Sequence, residues 1–110
     1  MLSQKDIIEI NKQFSSGTIV NSSSLDFAVK MTARSKNWLR TSAILSRAIL
    51  VDHIFEDGNK RTAAAVMMAI MELNKIEYNV EKIPKMVIDI LKKNITSVVQ
   101  IERRIKDARK

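Results

Sequence analysis

Ten consecutive residues contain most of the side chains in this sequence that could perform chemistry. Residues 53–62 read His-Ile-Phe-Glu-Asp-Gly-Asn-Lys-Arg-Thr and include the single histidine and one of the two glycines of the 110-residue chain. A histidine such as His53 can accept a proton from a hydroxyl near neutral pH. Asp57 offers a hard oxygen ligand, and Mg²⁺ is often held by one carboxylate together with the phosphates of a nucleotide. The segment therefore predicts chemistry that transfers a phosphate-containing group to a hydroxyl.

The second half of this segment predicts an anion-binding helix start. Gly58 permits a turn with positive φ and lets an anion approach the backbone, and an apolar helix is predicted to begin at Asn59 or Lys60. The first N–H groups of a helix lack intrahelical partners and carry partial positive charge, so phosphate binds there readily. The helix dipole disfavours the cations Lys60 and Arg61 in this turn. An anion between them would remove that conflict.

Each of these features also has a simpler interpretation. A lone histidine after an amphipathic helix is more often structural than catalytic, Asp57-Gly58 is an ordinary turn, and Lys60-Arg61 is an ordinary solvated pair. Their occurrence together within ten residues, directly before an apolar helix, favours a functional site. Phe55 is predicted to anchor the loop in the core and not to take part in chemistry.

The surrounding sequence predicts an all-α fold, a compact bundle of about six helices with the motif loop before a buried central helix. Ser3 and Asp6 form a predicted capping box at the first helix. The fourth helix contains nine consecutive apolar residues, 63–71, and is predicted to be central because it is apolar on nearly all sides. The predicted helices span about 4–14, 25–35, 38–52, 59–74 and 84–94, with a short connection of some strand propensity at 75–80. A sixth helix is predicted after a cap at Thr96 or Ser97, with Val98, Ile101 and Ile105 on one face. Residues 1–110 are predicted to form a single domain.

Composition narrows the classes of function. There is no cysteine, and the longest apolar run is too short to cross a bilayer, so we expect a soluble, cytoplasmic protein without a membrane partner. The net charge is +7, which fits either a solvated lysine-rich surface or binding of nucleotide phosphates or nucleic acid. Nucleic acid is not expected, because the aromatic residues are isolated and no helix clusters base-reading side chains. A non-catalytic basic helical binding module remains the alternative to an enzyme.

The pattern His53-x-Phe55-x-Asp57-Gly58-Asn59-Lys60-Arg61-Thr62 resembles the signature of the Fic/Doc (fido) family. Because that family places the motif before the central helix of a small bundle, the resemblance extends over nearly the whole chain. It implies that His53 is the base that activates a target hydroxyl and that Asp57 coordinates Mg²⁺. It further implies that the phosphates of ATP, or of another nucleoside triphosphate, are held by Gly58, Asn59, Lys60, Arg61 and Thr62. The flap that docks the target segment falls on Ser35, Lys36, Asn37 and Trp38.

Three departures are similar to the Doc (death-on-curing) branch of that family. The AMP-transferring Fic members usually have Pro, Gly and a second Arg where this chain has Ile54, Lys60 and Ala64. In the Doc branch the Lys is associated with a reversed nucleotide, whose γ-phosphate faces the acceptor. The resemblance thus implies a toxin that phosphorylates a Ser or Thr of a translation elongation factor, elongation factor Tu in the known case. Fic-type AMP transfer (AMPylation) remains the alternative within the family.

The resemblance also implies external control. Many Fic proteins carry an inhibitory helix of the pattern Ser/Thr-x-x-x-Glu-Gly/Asn, and this pattern does not occur in the sequence. We therefore expect a separate antitoxin. Its inhibitory segment is expected to fold into a groove on the bundle, and the net charge of +7 favours an acidic partner.

Overall fold

Six α-helices and their connections make up residues 2–110, which are the residues described by a computed structural model of the chain. The helices are α1 (Gln4–Asn11), α2 (Ser22–Thr32), α3 (Trp38–Val51), α4 (Asn59–Leu73), α5 (Lys82–Lys92) and α6 (Val98–Ala108). No β-strand occurs within these residues, and the predicted strand propensity at 75–80 yields only one isolated bridge, between Tyr78 and Arg109. The prediction of an all-α bundle of about six helices is confirmed.

Several of these helices start at a residue whose side chain caps the first turn. Ser3 and Asp6 form the predicted capping box, in which Ser3 Oγ accepts from Asp6 N at 3.1 Å and Asp6 Oδ2 accepts from Ser3 N at 2.8 Å. Asn37 caps α3, and Ser97 caps α6. Such caps satisfy N–H groups that have no intrahelical partner.

Two predicted helix boundaries were wrong by about three residues. α2 spans 22–32 and not 25–35, because the Asn21 side chain accepts from Ser24 N and so begins the helix earlier. α1 ends at Asn11, and a hydrogen-bonded turn follows it as far as Phe14. The Asn11 side chain is directed to partners outside α1, which are described below.

The centre of the bundle is a pair of helices, α3 and α4. α4 packs against α1, α3 and α5, while α3 packs against α2, α4 and α6. The predicted central position of α4 is therefore correct, and α3 shares it. The apolar side chains of α4 are fully buried at Ala63, Val66, Met67, Ile70 and Met71, so the start of α4 is fixed by well-packed core.

Two further properties describe the bundle as a whole. The Cα radius of gyration is 12.4 Å, close to the roughly 13 Å expected for a compact domain of this length. Within residues 2–110, no helix has both the length and the apolar character needed to cross a bilayer.

Candidate functional site

The segment between α3 and α4 is held against the core by two buried residues, Ile54 and Phe55, and pairs with a neighbouring segment on one side. Phe55 is fully buried. Ile19 forms an isolated antiparallel bridge with Phe55, flanked by hydrogen bonds from Val20 N to Ile54 O (2.8 Å) and from Glu56 N to Thr18 O (3.0 Å). The connection between α1 and α2 therefore fixes the backbone of the motif loop.

Asn59 braces this loop with its side chain. Its Oδ1 accepts from Phe55 N at 3.0 Å, and its Nδ2 donates to Phe55 O at 2.8 Å. Nδ2 also lies 3.3 Å from His53 Nδ1. This buried amide is committed to the loop, so the predicted phosphate-binding role of Asn59 does not fall to its side chain. Only its backbone N–H, in the first turn of α4, remains suited to that role.

His53 is exposed and adopts a left-handed backbone conformation, with φ of 54°. A non-glycine residue in this region is uncommon and is maintained by its surroundings. The preceding residue supplies part of that support, because Asp52 O accepts from Asn21 Nδ2 at 2.9 Å and Asp52 Oδ2 accepts from Ser24 Oγ at 2.5 Å. The start of α2 therefore helps to hold the candidate base at the edge of the site.

Gly58 is the N-cap residue of α4, and its position favours glycine for two reasons. Its φ is 79°, and an added Cβ would lie 3.2 Å from both Asn11 Nδ2 and Ser15 Cβ. The space in the direction of that Cβ is thus filled by the end of α1 and the turn after it, while Gly58 also lines the cleft described below. As the N-cap residue, Gly58 offers no side-chain acceptor, so the first N–H groups of α4 have no side-chain cap.

A cleft of about 560 Å³ lies beside this helix start, and charged side chains of both signs line it. Lys60 and Arg61 are exposed cations in the first turn of α4, and Glu56 and Asp57 are exposed acids of the loop. Within residues 2–110, none of these four forms an ion pair. Unpaired cations beside uncapped N–H groups can bind an anion.

The cleft also has an apolar wall that the sequence did not predict. Phe14 from the turn after α1, Leu50 from α3 and Leu91 from α5 line it together with the charged groups. Leu50 also belongs to the buried core, and Leu91 is partly buried against it. Their shared position at the cleft depends on how α3 and α5 pack against α4, which no local sequence pattern reports.

The carboxylate of Asp57 fits one mode of Mg²⁺ binding, in which a single protein ligand acts together with the phosphates of the substrate. In the described part of the chain there is no cluster of three or more His, Cys, Asp or Glu side chains that could enclose a metal ion. The Asp57 carboxylate is exposed at the cleft beside the phosphate-binding candidates. One carboxylate that relies on substrate phosphates for the remaining ligands is a usual arrangement for Mg²⁺.

Two of the predicted site assignments do not agree with the structure. Thr62 is fully buried, its hydroxyl accepts from Asn11 Nδ2 at 3.0 Å, and it does not line the cleft, so its side chain is not placed to bind phosphate. The predicted flap of Ser35, Lys36, Asn37 and Trp38 lies at the start of α3, whereas His53 follows its end. Because α3 has 14 residues and a length of about 21 Å, these residues are far from the site.

The segment that does lie beside the site is Thr18–Asn21. It pairs with the motif loop on one side, and the N–H and C=O groups of Ile19 make no backbone hydrogen bond within residues 2–110. Sequence reasoning missed this segment because its pairing with the loop joins residues more than 30 positions apart.

Comparisons with known proteins do not place the chain in a family. No family model matches the chain, and neither a curated protein nor a solved structure matches it.

Proposed function

We propose that the protein is a Doc-like enzyme that transfers the γ-phosphate of a nucleoside triphosphate to a Ser or Thr hydroxyl of a target protein. One observation carries the proposal. A cleft at the uncapped start of a buried helix brings together a histidine, a carboxylate and two unpaired cations. These are the groups that phosphoryl transfer uses for proton removal, metal binding and charge stabilisation.

Each group has one role in the proposed reaction. His53 takes the proton of the acceptor hydroxyl, whose oxygen forms a bond to the γ-phosphorus while the bond from that phosphorus to the bridging β-oxygen breaks. The electron pair of the broken bond leaves on the nucleoside diphosphate. Lys60, Arg61 and the first N–H groups of α4 stabilise the phosphate charge. Asp57 would hold Mg²⁺, which when bound would neutralise charge on the phosphates.

Residues 18–21, in place of the flap expected from the sequence, are assigned to dock the segment of the target protein that carries the acceptor hydroxyl. The backbone groups of Ile19 that lack a backbone partner can receive an extended peptide by strand addition. A peptide in that position would lie on the other side of residues 18–21 from the loop that carries His53, about two strand spacings or roughly 10 Å from it. The resemblance of the motif suggests a translation elongation factor as the target.

Transfer of AMP is the alternative chemistry at this site. In that reaction the acceptor oxygen bonds to the α-phosphorus and pyrophosphate leaves. The Lys60 side chain favours phosphate transfer because it adds bulk and charge where the AMP-transferring pattern has glycine. Ala64, which replaces the second Arg of that pattern, is buried in α4 and offers no charge.

Nucleotides labelled at different phosphates test the proposal. We expect label to pass to a protein substrate from the γ-position and not from the α-position of ATP, and only when Mg²⁺ is present. His53→Ala is expected to lower the rate by about 10²–10⁴-fold, the usual effect of losing a general base. Because His53 is exposed, the variant should keep the helical circular dichroism of the parent. Transfer of α-label would support the alternative, and wild-type turnover by His53→Ala would exclude the assigned base.

The proposal also includes a separate inhibitory protein that binds the helical bundle. An apolar groove of about 190 Å³ lies between α2, α3 and α6. Phe27 and Met31, which lie one helical turn apart on α2, are 65% and 53% exposed at this groove. Arg40 and Arg47 also line it and are ion-paired with Glu102 and Asp52. Apolar anchors of an acidic amphipathic helix fit such a surface. We assign it to the antitoxin expected from the sequence.

A further inference from the structure

Asn11, the last residue of α1, is fully buried and connects three separate parts of the chain. Its Nδ2 donates to Asp57 O and to Thr62 Oγ1, both at 3.0 Å, and its Oδ1 accepts from Gly17 N at 2.9 Å. Both N–H groups of the amide are therefore used. Leaving such buried groups without partners is costly, so this arrangement is strongly specified.

The partners of Asn11 are the parts of the chain that form the site. Asp57 is the candidate metal ligand, Thr62 belongs to the first turn of α4, and Gly17 precedes the segment that pairs with the motif loop. Asn11 itself does not line the cleft. Its Nδ2 also lies where a Cβ on residue 58 would point, so it closes the side of the loop that faces α1.

We infer that Asn11 is a positioning residue for the loop that binds the metal ion and the phosphates. It acts through the backbone of Asp57 and the start of α4, and it touches no substrate. An apolar residue of similar size would fill the same space between α1 and α4. The amide is needed because its two N–H groups fix the carbonyl of Asp57 relative to α4. This inference rests on the proposed function for the identity of the ligand.

The test compares Asn11→Leu, which keeps the branched shape of the side chain and removes all three hydrogen bonds, with Ile105→Ala. Ile105 is fully buried on α6 and does not line the cleft, so its variant controls for general destabilisation. Backbone amide hydrogen exchange is measured in the nucleotide-free protein, under conditions where both variants keep the circular dichroism of the wild type. We expect faster exchange at residues 17–21 and 56–62 in Asn11→Leu only.

The second measurement separates positioning from general stability through steady-state kinetics. We expect Asn11→Leu to raise KM for Mg²⁺–ATP on the order of 10–100-fold, as is typical when a residue that orients a metal ligand is lost. Ile105→Ala should leave KM unchanged. Faster exchange spread over the whole chain, or an unchanged KM in Asn11→Leu, would overturn the inference.

Thr62→Val keeps the test decisive if Asn11→Leu does not fold. This variant removes one of the three bonds and nearly preserves the shape of the side chain. It should increase exchange near residues 57–62 and raise KM relative to the wild type. If neither changes, the inference is wrong. A wild-type protein without any phosphate transfer would instead refute the proposed function, while the exchange data would still test the role of Asn11 in the loop.

Discussion

At the scale of single residues, two side-chain amides brace the loop that carries the candidate base and the candidate phosphate-binding groups. Asn59 binds both backbone polar groups of Phe55 and reaches His53, while Asn11 holds the carbonyl of Asp57. The charged groups of the cleft, including Lys60 and Asp57, form no ion pair with any residue in 2–110. Neutral supports leave the charges available for a ligand, which is the arrangement expected of a preorganised site.

Lys60 gives the sharpest test of which phosphate is transferred. Lys60→Gly restores the Gly-Asn-Gly-Arg pattern of the AMP-transferring members. We expect it to reduce γ-phosphate transfer, because the variant loses a cation beside the phosphates. AMP transfer should stay weak, since Ala64 does not supply the second Arg of that pattern. Both reactions can be followed with α- and γ-labelled ATP.

Lys60→Ala is the matched control for this substitution. It removes the charge without the backbone freedom of glycine, which costs a helix about 1 kcal/mol relative to alanine. A loss seen in both variants identifies the charge as the cause, whereas a loss in Lys60→Gly alone identifies the backbone. Parental γ-transfer by both variants would remove Lys60 from the assignment.

At the scale of helices and connections, the sequence predicted features that depend on local chemistry. The capping box at Ser3 and Asp6 joins residues three positions apart, and the long apolar run of α4 indicates its burial directly. The early start of α2 was not predicted, although Asn21 is a good capping residue, because several serines nearby could cap equally well. The Asn21 amide is also fixed by Asp52 O, a partner 31 positions away.

The same distinction between features set by neighbouring residues and features set by distant partners applies to the candidate site. The charged groups of the cleft lie within residues 53–61 and were visible as one segment of sequence. Phe14, Leu50 and Leu91 come from three other parts of the chain, and Asn11 reaches partners 46 and 51 positions away. No local pattern reports such distances. The predicted flap was wrong for the same reason, because its location depends on which connection packs against the loop.

The connection between α4 and α5 offers a direct test of the structure. The hydroxyl of Tyr78 donates to Glu72 Oε1 at 2.5 Å, and this hydrogen bond, aided by partial burial and the negative charge of Glu72, raises the pKa of Tyr78 to about 12. Since Tyr78 is the only tyrosine, absorbance of its phenolate can be titrated without interference from a second tyrosine. Glu72→Gln should return the pKa toward its ordinary value of about 10. Equal titration of the two proteins would show that the bond is absent.

The sign of the associated stability effect follows from this shift. A raised pKa in the folded state means that the protonated phenol stabilises the fold. The contribution is fully present below about pH 10, the value for an unfolded chain, and is lost as pH rises through about 12. Urea unfolding midpoints of the wild type and of Tyr78→Phe should therefore differ at pH 9 and converge toward pH 12. A difference that does not depend on pH would contradict this account.

At the scale of the whole molecule, net charge and exposed apolar surface favour a regulatory partner of opposite charge. The net charge of +7 accelerates encounter with an acidic protein at low salt. The groove at Phe27 and Met31 lies between α2, α3 and α6, while the cleft lies at the start of α4 and includes Leu91 of α5. A helix in that groove would also contact Asp52 and Ser24, which support the backbone next to His53. Inhibition could therefore act on the candidate base without filling the cleft.

Expression of the chain by itself tests the need for such a partner. An uninhibited enzyme that modifies cellular proteins would harm its host, so we expect growth arrest when the wild-type chain is produced alone. His53→Ala is the control, because it removes the proposed base and leaves the basic surface and the apolar groove unchanged. Arrest by both proteins would assign toxicity to the surface or to binding and not to catalysis. Normal growth with a wild-type enzyme that modifies the same host's proteins in vitro would contradict the need for an inhibitor.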